Sequence, residues 1–415
     1  MEHLDRIGVR WLDYPNLVRL NPNVPFRTRG NGAVALRFEA EQSEVDDVAG
    51  ILEDSVVRYS ELDYPNTNPG IVVLAGSTPE TVRRLAEAAM WRLVPLSLAK
   101  RVVERERICH IEKGNGRGLV GALSAIGNDL SGDHTFEYLA YRSLDRHTRH
   151  RGVDPESVAL MDRLTRGRTY SNIDPETGTV LVEPHGPDPV IFGIRGETSI
   201  AVREAARMVK TQDHIERWMI FRTNQGTGAH LVHEVPISDL RPYMAATVVG
   251  EVRSTPRMIE GGHVVFRLGD ENGTIDCAAY EPTASFRNHI LRLWPGDRIA
   301  LYAGVRPASR LHGPTLNIEG MKILSVVPRT QWINPLCICG HRMKSAGTGK
   351  GFKCEKCGRR NTAVQRTELV LNDPPPLGLY LPPPRAQRHL SRPYSRLALN
   401  NEHSRPDLTI EWHSP

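Results

Sequence analysis

The sequence predicts a multidomain α+β protein, in which an α/β half is followed by a five-stranded barrel and a small metal-binding module. Three observations lead to this fold class. Strand and helix patterns alternate from Gly32 to about Val209, short strands dominate after Ala245, and four of the six cysteines lie between residues 337 and 357. At 415 residues, the chain is long enough for about three domains.

The composition is that of a folded protein with a small positive charge. The hydrophobic share of 40% and the charged share of 24% are ordinary, and a net charge of +5 does not by itself indicate nucleic acid. No apolar run approaches the roughly 20 residues of a membrane span, and residues 1–10 lack the apolar core of a signal peptide. We therefore expect a cytoplasmic protein with no membrane contact and no obligate protein partner.

Two glycine-rich loops are the first candidate site. Residues 113–127 read KGNGRGLVGALSAIG and run into a helical pattern, and residues 27–33 read RTRGNGA. A glycine loop that opens into a helix directs free N–H groups at a bound anion. We expect the loops to face each other across one phosphate or nucleotide site, with two ordinary turns as the alternative. The candidate nucleotide-binding residues are Arg29, Gly30, Asn31, Gly32, Lys113, Gly114, Asn115, Gly116, Arg117 and Gly118.

Residues 37–112 lie between the two loops and alternate between strand and helix patterns. Such an alternation over a short segment suits a small unit of the ferredoxin-like type. The order of its strands cannot be read from the sequence.

Polar residues at predicted strand ends form a second candidate set. Arg195 can hold a phosphate through two hydrogen bonds, and Asp188 or Glu197 can bind Mg²⁺ or act as a base. In the loop TNQGTGAH, three residues are candidates for substrate binding, namely Asn224, Gln225 and Thr227. Each of these residues is alternatively a turn or capping residue.

Residues 243–328 predict an OB-fold barrel. Five short strands are interrupted by one helix, which lies between the third strand and the fourth. This order is typical of the OB fold, whose barrel often binds oligonucleotides.

Residues 335–366 predict a zinc ribbon. Cys337 and Cys339 form one close pair, and Cys354 and Cys357 form another, which is the thiolate set that tetrahedral Zn²⁺ requires. No open ligand position is implied, so the metal would be structural. Seven basic residues surround these cysteines. They suggest a surface for a phosphate backbone, although a solvated charged face is the alternative: Arg342, Lys344, Lys350, Lys353, Lys356, Arg359 and Arg360. All of these except Lys356 are candidate tRNA-binding residues.

Residues 367–415 are rich in proline and arginine, and we expect an extended tail. Arg388 and Arg392 would add to the basic surface.

Five stretches, in this order, are similar to the archaeal tRNA 2-agmatinylcytidine synthetase (TiaS) family: residues 17–33, 113–123, 187–197, 219–231 and 337–357. The resemblance implies a discontinuous kinase-like domain over residues 1–36 and 113–240, with an inserted ferredoxin-like domain over residues 37–112. An OB fold, a zinc ribbon and the tail would follow. The Asp-Asp-x-Asp segment with which the family begins has no counterpart here, and we interpret the chain as starting inside the helix that follows it.

The resemblance also implies an activity. The family uses ATP to attach agmatine to C2 of the wobble cytidine in the isoleucine tRNA with a CAU anticodon, so that AUA is read as isoleucine. Family membership would imply ATP, Mg²⁺ and structural Zn²⁺ as cofactors, and that tRNA and agmatine as partners. A non-catalytic nucleic-acid-binding protein with an OB fold and a zinc ribbon is the alternative.

Overall fold

The computed structural model describes residues 1–27, 30–41, 44–143, 152–184, 188–310, 312–371, 374–402, 408 and 411–414. The segment up to residue 112 contains three long helices, in which alanine and long side chains recur at helical spacing. Its elements are α1 (Glu2–Arg6), β1 (Arg10–Trp11), β2 (Asn16–Arg19), β3 (Gly32–Ala35), β4 (Phe38–Glu39), α2 (Val45–Tyr59), β5 (Gly70–Val73), α3 (Glu80–Trp91), α4 (Leu96–Glu106) and β6 (Cys109–Glu112).

A six-stranded sheet forms the centre of the molecule, in the order β3-β2-β10-β7-β9-β8. Asp154 caps the first of its two helices by accepting hydrogen bonds from the N–H groups of Glu156 and Ser157, and Thr198 caps the second. The elements of this half are α5 (Gly118–Gly127), β7 (Thr135–Tyr141), α6 (Pro155–Leu164), β8 (Thr169–Tyr170), β9 (Val190–Gly196), α7 (Ser199–Met208) and β10 (Arg217–Thr223).

The ferredoxin-like unit lies in this sheet, and its predicted position over residues 37–112 is wrong. The chain runs β7-α6-β8-β9-α7-β10 and its four antiparallel strands are ordered β10-β7-β9-β8, which is the ferredoxin-like arrangement. Within the described part of residues 37–112, only β5 and β6 pair with each other. The prediction failed because β8 has two residues, too few to show a strand period.

The helices cover one face of the sheet, where Phe136, Tyr138, Ile194, Val202 and Ala205 form a buried core. Strand β2 runs parallel to β10, and β3 pairs with β2 and forms one edge of the sheet. The first glycine loop therefore precedes the edge strand β3.

Residues 245–325 form the predicted five-stranded barrel, which closes because β11 pairs with β13 as well as with β15. Alternating apolar residues fill it. Its elements are β11 (Ala245–Val252), β12 (Arg257–Met258), β13 (Val264–Asp270), β14 (Gly273–Ala279), α8 (Phe286–Leu291), β15 (Arg298–Arg306) and β16 (Thr315–Ser325).

The remaining strands build a zinc-ribbon module and its connections. A three-stranded sheet β18-β19-β20 carries the cysteines, and β17 pairs with β21 at its base. The strands are β17 (Arg329–Ile333), β18 (Lys344–Ser345), β19 (Phe352–Lys353), β20 (Arg360–Asn361), β21 (Thr367–Leu371) and β22 (Gly378–Tyr380).

The expected extended tail is instead a strap that packs against the rest of the molecule. We call residues 378–401 the C-terminal strap. Strand β22 pairs with β16 of the barrel, and Leu390 and Arg396 are buried. Further on, Trp412 packs in the core beside Tyr14. The prediction failed because composition alone does not reveal acidic partners distant in sequence. No helix in the described part of the chain has the length and apolar character of a membrane span.

Candidate functional site

Residues beside the two glycine loops contact each other, and the phosphate site that we expect between the loops stays a prediction. The guanidinium of Arg117 stacks over the ring of Phe26, with 3.7 Å between its Cζ and the ring centroid. Behind this contact α5 packs on β3, where a Cβ added at Gly121 would lie 3.6 Å from the Cβ of Ala33. The start of α5 is therefore packed against the segments that flank the first loop.

Two of the glycines in the second loop are required by its conformation and one by its packing. Gly114 and Gly116 have φ angles of +59° and +78°, which L residues with side chains rarely adopt. A Cβ at Gly118 would lie 2.2 Å from the backbone nitrogen of Gly70 and 2.4 Å from the carbonyl oxygen of Asn68. The loop and the start of α5 are thus fitted against residues 68–70.

Several of the predicted nucleotide-binding residues serve the loops themselves. Lys113 forms an ion pair with Glu53, and the Asn115 side chain accepts a hydrogen bond from the Arg117 N–H at 3.1 Å. Asn31 donates from Nδ2 to the carbonyl oxygen of Asn21 at 2.7 Å, which stabilises the first loop. Arg29 lies outside the described residues.

A polar cluster that we did not predict lies on the sheet face opposite α6 and α7. Arg195 in β9 lies between two neighbouring strands of the sheet. It is directly opposite Glu137 in β7 on one side and Tyr170 in β8 on the other. Arg19 reaches the same place, with its Nη2 3.9 Å from Glu137 Oε2. The Arg19 Nη1 also donates to the carbonyl oxygen of Gly30 at 3.4 Å, so the cluster continues into the first glycine loop.

The electrostatics of this cluster follow from burial. Burial lowers the pKa of Arg19, the charge of Glu137 opposes this effect and the charge of Arg195 adds to it. Burial also raises the pKa of Tyr170 to about 12, so its hydroxyl stays protonated. A sequence signal for this cluster existed, because Glu137 is the single acid in the otherwise apolar strand TFEYLAY.

Asp188, Arg195 and Glu197 do not form one catalytic group. Glu197 Oε1 lies 2.7 Å from Nε of Arg396, and Asn401 Nδ2 donates to its Oε2 at 3.0 Å. Asp188 Oδ1 accepts a hydrogen bond from the backbone N–H of Val190 at 2.9 Å. Among the described residues, the only cluster of three or more potential metal-ligating side chains consists of cysteines, so no carboxylate site for Mg²⁺ is assembled there.

The three candidate substrate residues make internal contacts. Asn224 clamps the main chain of Arg19, since its Oδ1 accepts from the Arg19 N–H at 2.8 Å and its Nδ2 donates to the Arg19 carbonyl at 2.9 Å. Thr227 Oγ1 donates to the Asn224 carbonyl at 2.7 Å. Gln225 is the one of the three whose side chain bonds to a side chain of the polar cluster, because its Nε2 donates to Glu137. Its buried Oε1 has no hydrogen-bond partner.

The four cysteines converge as the sequence predicted. Their Sγ atoms all lie within 4.8 Å of one another, and four sulfurs around one tetrahedral Zn²⁺ are about 3.8 Å apart. Hydrogen bonds from the backbone N–H groups of Cys357 and Lys356 lower the pKa of the Cys354 thiol to about 6, which favours the thiolate. The set fits one structural zinc ion.

The predicted basic residues fall into two groups. In the zinc ribbon they are exposed, and Lys344 also pairs with Glu355 at 2.9 Å across the surface. In the strap, by contrast, Arg392 donates to Asp133 Oδ2 at 2.8 Å and to the Leu399 carbonyl at 2.6 Å. Arg392 is therefore engaged within the protein and does not extend the basic surface as predicted.

These features define a multidomain α+β protein with two appended modules, a closed five-stranded barrel and a zinc ribbon. Family models match almost the whole N-terminal half and the ribbon. The model of the TiaS TCKD domain matches residues 3–115, that of the TiaS FLD domain residues 116–230, and that of the TiaS C-terminal zinc ribbon domain residues 334–370.

Similar proteins extend over nearly the whole chain. The tRNA 2-agmatinylcytidine synthetase TiaS of Staphylothermus marinus is 40% identical over 95% of this chain and 88% of its own length. That of Pyrococcus horikoshii is 38% identical over 92% and 88%. The crystal structure of TiaS in complex with its tRNA and ATP aligns with a TM-score of 0.85 and 34% identity, covering 97% of this chain and 93% of the other. The chain belongs to the TiaS family.

Proposed function

We propose that this chain is an ATP-dependent ligase that attaches agmatine to C2 of the wobble cytidine in the isoleucine tRNA with a CAU anticodon. One observation carries the proposal. A crystal structure of TiaS with its tRNA, AMPCPP and agmatine aligns over 96% of this chain and 91% of the other, with a TM-score of 0.83 and 32% identity.

The chemistry explains why the site needs anion-binding groups. The C2 oxygen of cytosine is a poor leaving group and must be phosphorylated before an amine displaces it. Phosphoryl transfer depends mainly on positioning and on stabilising charge that spreads over the phosphate oxygens. The backbone N–H groups of Gly30, Asn31, Gly114 and Gly118 would hold the ATP phosphates, because those of residues 115–117 donate to acceptors within or beside the second loop. Arg117 and Arg195 would stabilise the transferred group.

We assign the kinase-like part of the protein to the residues around the two glycine loops, up to the end of α5 at Gly127. The carboxylates expected to hold Mg²⁺ are not grouped among the described residues, because Glu197 pairs with Arg396 and Asp188 lies apart. No step of the proposal therefore passes through that metal.

We assign substrate binding to Glu137 and Gln225. Glu137 is a buried carboxylate at the junction of the first loop and the sheet, and the guanidinium of agmatine requires an acidic partner. The unpaired Oε1 of Gln225 can accept one further hydrogen bond there.

We assign tRNA binding to the exposed basic face of the zinc ribbon. Lys350, Lys353, Arg359 and Arg360 have no acidic partner among the described residues. Cations of this kind contribute salt-dependent, sequence-independent affinity for a phosphate backbone.

The proposal is tested by incorporation of labelled agmatine. The protein, ATP, labelled agmatine and an unmodified tRNA transcript with a CAU anticodon are incubated, and acid-precipitable label is measured. We expect incorporation that requires ATP and is lost when uridine replaces the wobble cytidine. Binding of the transcript without any incorporation would support the non-catalytic alternative instead.

A further inference from the structure

The C-terminal strap brings an arginine to the first glycine loop. The backbone N–H groups of Gly226 and Gly228 donate to the carbonyl oxygens of His389 and Leu390, at 2.9 and 2.7 Å. Leu390 is 1% exposed and packs with Val18 and Leu20 beneath the loop. These contacts fix the strap backbone against β2 and the loop that follows β10.

The turn that carries Arg388 is also closed on itself. The Ser391 N–H donates to the Arg388 carbonyl at 3.0 Å, and the Arg388 N–H donates to Ser391 Oγ at 3.1 Å. A Cβ at Gly30 would lie 3.6 Å from Nε2 of the adjacent His389, so the turn and the glycine loop are in contact. The main chain of Arg388 is therefore held rigidly at the candidate site.

Arg388 differs from the other arginines of the strap in its partners. Arg385 pairs with Asp174 at 2.6 Å, Arg392 with Asp133 at 2.8 Å, and Arg396 with Glu197 at 2.7 Å. No carboxylate within the described residues lies in ion-pair distance of Arg388, although it is half-buried.

Arg27 carries a second positive charge, three residues before Gly30, which the strap turn contacts. Partial desolvation and, secondly, the positive charge of Arg388 lower the pKa of Arg27 in the glycine loop. Arg27 likewise has no carboxylate partner among the described residues. The half-buried Arg388, on its hydrogen-bonded turn, and the exposed Arg27 can together hold an oxyanion through charge-assisted hydrogen bonds.

We propose that Arg27 and Arg388 together bind one phosphate group, so that the C-terminal strap supplies a substrate-binding residue to the ligase site. This inference rests on the proposed function, which gives the site two phosphate-bearing substrates. The phosphate comes either from ATP or from the tRNA backbone, and the chemistry that recognises it is the same.

The test uses full-length protein with Arg27→Gln, Arg388→Gln, the double variant and Arg388→Lys. Arg163→Gln, on the exposed surface of α6, is the matched control for loss of one charge. One arm measures the affinity for a non-hydrolysable ATP analogue without tRNA, and the other measures the affinity for tRNA without ATP.

For the ligand that supplies the phosphate, either the ATP analogue or the tRNA, we expect each glutamine variant to bind about ten-fold more weakly than wild type. The affinity of the lysine variant should be intermediate, since lysine keeps the charge but loses the second hydrogen bond. The double variant should lose little more than either single variant, because both residues serve one phosphate. If the source is the tRNA, the salt dependence should fall by about one counterion. The ligand-free variants should melt no lower than wild type, since a repulsion has been removed.

Affinities within two-fold of wild type in both arms would overturn the inference, as would additive losses in the double variant or a lower melting temperature without ligand. Failure of the proposed function is distinguishable, because wild type itself would then incorporate no agmatine, whatever the variants bind.

Discussion

Arg396 has no solvent-exposed side-chain surface, and its guanidinium is bound by Asp133 and Glu197 at distances of 2.9 and 2.7 Å. Removal of one partner from a buried ion pair leaves an uncompensated charge. At the scale of single residues, Glu197 therefore anchors the strap.

We predict that Glu197→Gln lowers the free energy of unfolding by about 3 kcal/mol. The matched control is Glu204→Gln in α7, because Glu204 pairs with Arg168 at 2.7 Å but both side chains are about half exposed. Such a surface pair contributes at most about 1 kcal/mol. Both values are measured by urea unfolding. A Glu197→Gln protein of wild-type stability that has lost turnover would show that Glu197 is catalytic.

The lowered pKa of His134 should make the stability of the protein depend on pH. Burial, assisted by the charge of Arg222, lowers its pKa from 6.5 to about 4. As the pH falls from 6.5 to 4, the unfolded chain takes up a proton that the folded chain does not, so the folded state loses stability. We expect wild type to lose about 2 kcal/mol more than His134→Gln between about pH 7 and about pH 5. Equal losses in urea unfolding of the two proteins would refute this assignment.

At the scale of elements, helix α5 contains one glycine that packing requires and one that packing does not require. Gly118 has no room for a Cβ, since the backbone of Gly70 lies 2.2 Å from its ideal position, whereas the nearest atom to a Cβ at Gly121 lies at 3.6 Å. We predict that Gly121→Ala stabilises the protein by about 0.5–1 kcal/mol. Gly118→Ala should destabilise it by about 2 kcal/mol or more and weaken binding of the ATP analogue. Thermal unfolding measures the stabilities, and an equally stable Gly118→Ala protein would contradict the packing argument.

The sequence predicts those elements whose signal is local. Alternation of apolar residues revealed the barrel strands, and close cysteine pairs revealed the zinc site, because ligand spacing within one turn is visible in the chain. The strand β8 (Thr169–Tyr170) is too short to give a sequence pattern, so the position of the ferredoxin-like unit could not be predicted. Arg392 and Arg396 of the strap form hydrogen bonds with Asp133 and Glu197, which lie about 200 or more positions earlier in the chain. No pattern in a single sequence indicates such pairs.

At the scale of the whole molecule, the barrel and strap join the zinc ribbon to the sheet, and tRNA and ATP would bind to different parts. We predict that Lys350→Gln combined with Lys353→Gln reduces the salt dependence of tRNA binding by about two counterions, because two phosphate contacts are lost. Affinity for the ATP analogue should not change. Filter binding over a range of salt concentrations measures the effect, and an unchanged slope would remove the ribbon from the tRNA interface.

The central claim is that this chain, with its two glycine loops and polar sheet face, joins agmatine to the wobble cytidine. Mass analysis of the nucleosides from a treated tRNA tests it most directly. We predict that 2-agmatinylcytidine appears at the wobble position with wild type and ATP, and that the yield falls at least about ten-fold with Arg117→Ala, while tRNA binding remains. Unmodified cytidine after complete reaction conditions, with tRNA and ATP bound, would contradict it.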